Sequence, residues 1–106
     1  MAVHAGKLDE RVTLRAPSVD RDQFGEATLE FDDIATVWAQ VDGLTSREVL
    51  QAMQANVVAT HRVRIRFRED VTPHWRLLWR GRTLEISSLV DRQKRTMLEM
   101  LVREVM

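Results

Sequence analysis

The sequence contains no cysteine, which excludes disulfide stapling and thiolate metal ligation. It has only two prolines, Pro17 and Pro73, and each reads as an element boundary. No stretch approaches the ~20 apolar residues of a membrane span. The opening Met1-Ala2-Val3-His4-Ala5-Gly6-Lys7 lacks the apolar core of a signal peptide, so the protein is expected to be cytoplasmic where it is made. Net charge is also missing: 16 Lys and Arg balance 16 Asp and Glu. Proteins whose main task is gripping nucleic acid draw affinity from excess cationic charge, so neutrality argues against that class while leaving room for a local basic stripe. What remains is a chain of 106 residues, 44% hydrophobic and 30% charged, which suits one folded domain over 1–106 with one core.

Period-2 alternation dominates. A strand is expected over 8–16, with Val12, Leu14 and Ala16 on one face and Pro17 as its stop. The polar stretch 18–26, with Phe24 and Gly25 inside it, reads as a long hairpin loop. Short strands follow over 27–31 and 34–41. In the latter, Val37, Ala39 and Val41 form one face and Thr36, Trp38 and Gln40 the other. Two usable faces imply burial on both sides or an assembly contact on one.

The period then changes. Leu44-Thr45-Ser46-Arg47-Glu48-Val49 carries a capping box, with Thr45 as N-cap and Glu48 reaching back, and a Leu44–Val49 staple. Val49, Leu50 and Met53 recur at helical spacing, so a helix is expected over about 46–55. The strongest strand is expected over 57–68, alternating Val63, Ile65 and Phe67 with Arg62, Arg64, Arg66 and Arg68. Further strands read at 75–80, 83–90 and 96–105, with Leu84, Ile86 and Val90 inward in the second and Leu98, Met100 and Val102 sharing a face in the third. Residues 91–95 form a charged turn. The fold class expected is all-β with one short helix between the third and fourth strands, closed into a small antiparallel barrel or a sandwich that hides its edges.

Four arginines on one strand face, ~6.6 Å apart, make a stripe ~20 Å long. It suits phosphates or an acidic partner. It equally suits a solvated face with cross-strand acids such as Glu85 and Glu99. Phe24 in its polar loop is either an anchor for a partner or a side chain tucked under its own loop. Trp38, Trp75 and Trp79 belong to core or interface. His4, His61 and His74 lack metal-ligand spacing, and His61 falls on an apolar face as a hydrogen-bonded core histidine would. Asp32 and Asp33 point apart on a strand. Asp20, Asp22 and Glu26 do not complete a calcium loop. Ser46, Ser87 and Ser88 lack a nucleophile elbow. No catalytic set, cofactor or metal site is therefore expected, and an enzyme is not.

Taken in order, several short motifs resemble the head–tail joining proteins of siphophages and prophages, also called head-closure, head–tail adaptor or stopper proteins. They are Gly6-Lys7-Leu8-Asp9-Glu10-Arg11-Val12-Thr13-Leu14, Asp22-Gln23-Phe24-Gly25-Glu26, Thr36-Val37-Trp38-Ala39-Gln40-Val41 and Leu44-Thr45-Ser46-Arg47-Glu48. After them come the arginine strand with Val71-Thr72-Pro73, Gly81-Arg82-Thr83-Leu84-Glu85-Ile86 and Asp91. Thr83-Leu84 departs from the aromatic that the family often has before its Glu-Ile. The resemblance implies a barrel with a helix, assembled as a homo-oligomeric ring beneath the portal of a virion. A portal or adaptor protein would lie above it, a tail completion or terminator protein below, and packaged DNA nearby. Phe24, Gly25, Arg62, Arg64, Arg66 and Arg68 are the candidate partner or channel residues. The alternative is a single-stranded nucleic-acid-binding small barrel. That would need aromatics interleaved with cations on one face, and the arginine strand carries Phe67 on the other. No membrane or small-molecule partner is expected.

Overall fold

The computed structural model describes residues 8–21, 23–25, 27–92 and 96–105. His4, Asp22, Glu26 and residues 93–95 of the expected charged turn lie outside them, as do the first two residues of the Gly6-to-Leu14 motif. Six strands and one helix follow in the order β1 (Glu10–Arg21), β2 (Ala27–Gly43), α1 (Ser46–Gln54), β3 (His61–Arg66), β4 (Arg76–Trp79), β5 (Arg82–Arg92) and β6 (Met97–Val105). The strands close into a barrel in the order β1-β2-β3-β6-β5-β4, and every pairing is antiparallel. The barrel settles the choice left open against a sandwich.

Alternation explains the core. Val12, Leu14, Ala39, Val63, Ile65, Leu77, Leu84, Met100 and Val102 are all fully enclosed, and Trp75 and Trp79 close around them. Val63 and Ile65 point inward as expected, while Phe67 lies just past β3 and is half-buried against the core. The seam between β1 and β4 is short, running from Thr13↔Leu78 to Arg15↔Arg76. The Trp79 indole N–H reinforces that seam by donating to Glu10 at 2.9 Å.

α1 starts as its capping box dictates. The Glu48 amide donates to the Thr45 hydroxyl at 3.2 Å, and the Thr45 amide donates to the Glu48 carboxylate at 3.3 Å. Ala52 is the buried residue of the helix, whereas Leu50 and Met53 face outward.

Three expectations are corrected. The strands expected at 27–31 and 34–41 are one strand, so the barrel has six strands and α1 follows the second. A bulge joins them: Leu14 pairs with Ala35 and Arg15 with Asp33, leaving Ile34 extra. Second, Pro17 does not end β1, and 18–21 is strand rather than loop. Beyond Arg15 β1 loses β4 and keeps only β2, and proline is tolerated where one strand edge is open. Third, Val90 is exposed and Leu89 packs on the core instead. A second bulge, at Ser87, reverses the parity of β5. Its hydroxyl donates to the Val58 carbonyl at 2.6 Å, tying β5 to the segment after α1.

Past the barrel, β1 and β2 continue as a two-stranded ribbon, the arm, from Ala16↔Asp32 to Arg21↔Ala27. The described molecule is elongated, 52 × 29 × 26 Å. Seventeen residues of β2 at ~3.3 Å each account for the long axis.

Candidate assembly surface

The arm shows its apolar side to solvent. Register places Pro17, Val19, Leu29 and Phe31 on one face, because the bulge at Ile34 turns Leu29 and Phe31 to the side opposite Val37 and Ala39. Val19 and Leu29 are directly opposed and are 66% and 61% exposed. The Arg76 guanidinium covers Phe31 at 4.3 Å. At the tip Phe24 is 81% exposed, and Gly25 next to it has φ +80°, a conformation that glycine adopts without strain. Covering the exposed two-thirds of Val19 and Leu29 with a partner would contribute ~1–2 kcal/mol each. Leu50, Met53 and Val58 are exposed as well.

The arginine stripe is largely engaged within the chain. Arg62 donates to Glu48 and lies 3.9 Å from Glu99. Arg64 donates to Glu99 at 2.8 Å, and Arg68 donates to both Asp70 oxygens at 3.0 and 2.9 Å. The expected cross-strand acid Glu99 thus takes its place, but Glu85 turns instead to Arg76 and Arg103. Three of the acids are depressed by their partners. The Arg62 guanidinium, helped by the Thr45 amide and hydroxyl, holds Glu48 below the ordinary glutamate value. Arg68 does the same to Asp70, and Arg103 followed by Arg76 to Glu85. All of these pairs touch solvent, which screens them and keeps their net contribution to stability small.

Arg66 differs: it is exposed and has no ion pair among the described residues. It stands next to Trp38, which is 52% exposed and carries the Arg11 guanidinium 4.5 Å from its ring centre. Arg11, Thr36, Val37, Trp38, Arg66 and Arg68 line a shallow groove of about 310 Å³. The row Arg11–Trp38–Arg66 crosses three strands, so no single segment of sequence displays it. Its one readable sign is that Trp38 alternates away from Val37 and Ala39. It also supplies from β2 the cation-flanked aromatic that β3 alone lacks. Phe24 and Gly25 are not brought to this row; they sit at the far end of the arm, beyond Arg15, where the barrel ends.

His61 is half-buried at the opposite end, in hydrogen-bond contact with the Thr60 hydroxyl at 2.8 Å and edge-on to Trp79 at 5.5 Å. Among the described residues no group of three or more His, Asp or Glu could hold a metal ion, and no helix is long and apolar enough to cross a membrane.

A closed six-stranded barrel bearing a projecting ribbon defines the class of fold. It is the fold of protein SF1141 from Shigella flexneri 2a, with 30% identity, 96% of each chain covered and a TM-score of 0.81. A chain from the virion of a native gene transfer agent particle also shares it, at 16% identity, 92% and 94% coverage and a TM-score of 0.61. No curated protein matches the sequence. Residues 3–105 match the phage head completion proteins, and the chain belongs to that family of structural head proteins of the virion.

Proposed function

We propose that this protein closes the DNA-filled head and joins it to the tail, as one joining domain repeated in a ring below the portal. It would accumulate in the host cytoplasm, bind a portal or adaptor protein above and present a surface to a tail completion or terminator protein below. Its role is structural, not enzymatic. The observation that carries this reading is the arm. An opposed apolar pair and an apolar tip are held out from a core that has no need of them. Such a surface gains stability only when a partner covers it. Phe24 and Gly25 at its tip are the proposed partner contacts. The arginine stripe faces the DNA channel or a neighbour, with Arg66 foremost because it has no ion pair among the described residues. A channel must let DNA slide, which weak, salt-sensitive phosphate contacts permit.

Heads assembled without this protein test the proposal. They should lose packaged DNA and fail to take tails, and added purified protein should restore both and form a ring below the portal in electron micrographs. Heads that stay full and accept tails without it would overturn the reading. The second reading, a single-stranded nucleic-acid module, has Trp38 between Arg11 and Arg66 as its specific support. Tight binding of single-stranded DNA at physiological salt would favour it.

A further inference from the structure

Formal neutrality conceals a division of charge. The arm, residues 16–32, holds Asp20, Asp22, Glu26, Glu30 and Asp32 against Arg21 alone, a formal charge of −4. The whole chain is neutral, so the rest carries +4. Just outside the arm Asp33 is paired, accepting from Arg15 at 2.7 Å. Glu30 and Asp32 are not. They lie on the arm face opposite Val19 and Leu29, are exposed, and have no ion pair among the described residues. On the barrel wall Arg11 and Arg66 stand in the same condition, flanking the exposed Trp38.

We infer that the acidic face of one copy's arm lies on the Arg11–Trp38–Arg66 row of the next copy. The inference builds on the ring reading above and specifies its subunit contact. The two surfaces are different patches of one chain, so the contact is heterologous and runs head to tail, the geometry that closes into rings. Opposite charge steers the approach and sets the register, and the Trp38 ring supplies contact area where the charges flank it. The arm's other face, with Val19 and Leu29, stays available to a different protein. One arm thereby serves two contacts through its two faces. A simpler role for the acids is to keep the open ribbon edges of separate molecules from pairing.

Charge exchange decides between these roles. An arm variant carries Glu30→Arg and Asp32→Arg; a wall variant carries Arg11→Glu and Arg66→Glu; a third carries all four. None of these side chains has an internal ion pair among the described residues, so all three proteins should melt within a few degrees of wild type. The readout is the number of copies retained in purified heads and the ring seen by electron microscopy. The arm and wall variants should each fall by about tenfold or more. The four-fold variant should recover, because the attraction is restored with its sign reversed. Wild-type retention of the arm variant would overturn the inference. So would a loss that the four-fold variant fails to rescue, which would assign the acids to edge protection or another protein. Wild-type heads that hold the protein away from the portal vertex would instead overturn the ring reading, and this contact with it.

Discussion

The barrel and the arm use the same strands to opposite ends. In the barrel, Val12 and Leu14 of β1 and Ala39 of β2 point inward and are wholly enclosed. A few residues along the same strands, Val19 and Leu29 point outward and are more than half exposed. Charge divides the same way: cations on the barrel wall mostly have acids beside them, whereas Glu30 and Asp32 on the arm have no ion pair among the described residues. One bulge at Ile34 produces much of the contrast by shifting β2 against β1. The barrel is what a folding core requires. The arm has the surface of something that finishes its packing against another molecule.

The largest expected effect is in the core. Ile65→Ala or Leu77→Ala should cost ~2–5 kcal/mol in urea denaturation, since both are fully enclosed. Leu29→Ser, the same kind of loss on the arm, should stay within ~0.5 kcal/mol. Equal costs would end the distinction. Next is Thr45→Ala, which should remove ~1 kcal/mol by opening the capping box. An unchanged denaturation midpoint would show that α1 does not depend on its cap.

A smaller effect concerns pH. Glu48, Asp70 and Glu85 are held below their ordinary values, so their pairing stabilises the fold above the carboxylate range. That stability should be lost as pH falls through and below about 4.5 for the glutamates and 3.8 for the aspartate. Arg62→Gln should flatten the Glu48 share of this acid loss in a pH series of thermal melts. The smallest effect is at Arg66→Gln, where melting should not change at any salt concentration.

Much of the barrel is legible in the sequence because its signals are local. Thr45 and Glu48 announce the start of α1, and Val63 and Ile65 against the arginines fix the register of β3. Bulges carry no comparable signal. One extra residue at Ile34 or Ser87 reverses parity beyond it, so alternation predicts two strands where β2 is one and places Val90 inside. Pro17 misleads because a stop signal in a central strand is tolerated on an open ribbon. The β1 half of the arm and its tip accordingly read as a loop in the sequence, and only Phe24 and Gly25 stand out in it. Trp38, Arg11 and Arg66 come from three strands, so their meeting depends on pairing that alternation does not specify.

The claim that the arm serves assembly rather than folding is tested most directly by one protein carrying Phe24→Ala and Leu29→Ser. Its melting temperature should be measured beside the yield of infectious particles when it is the sole copy supplied. The account predicts a melting temperature within a few degrees of wild type and a yield reduced by about tenfold or more. A wild-type yield from the folded variant would contradict it.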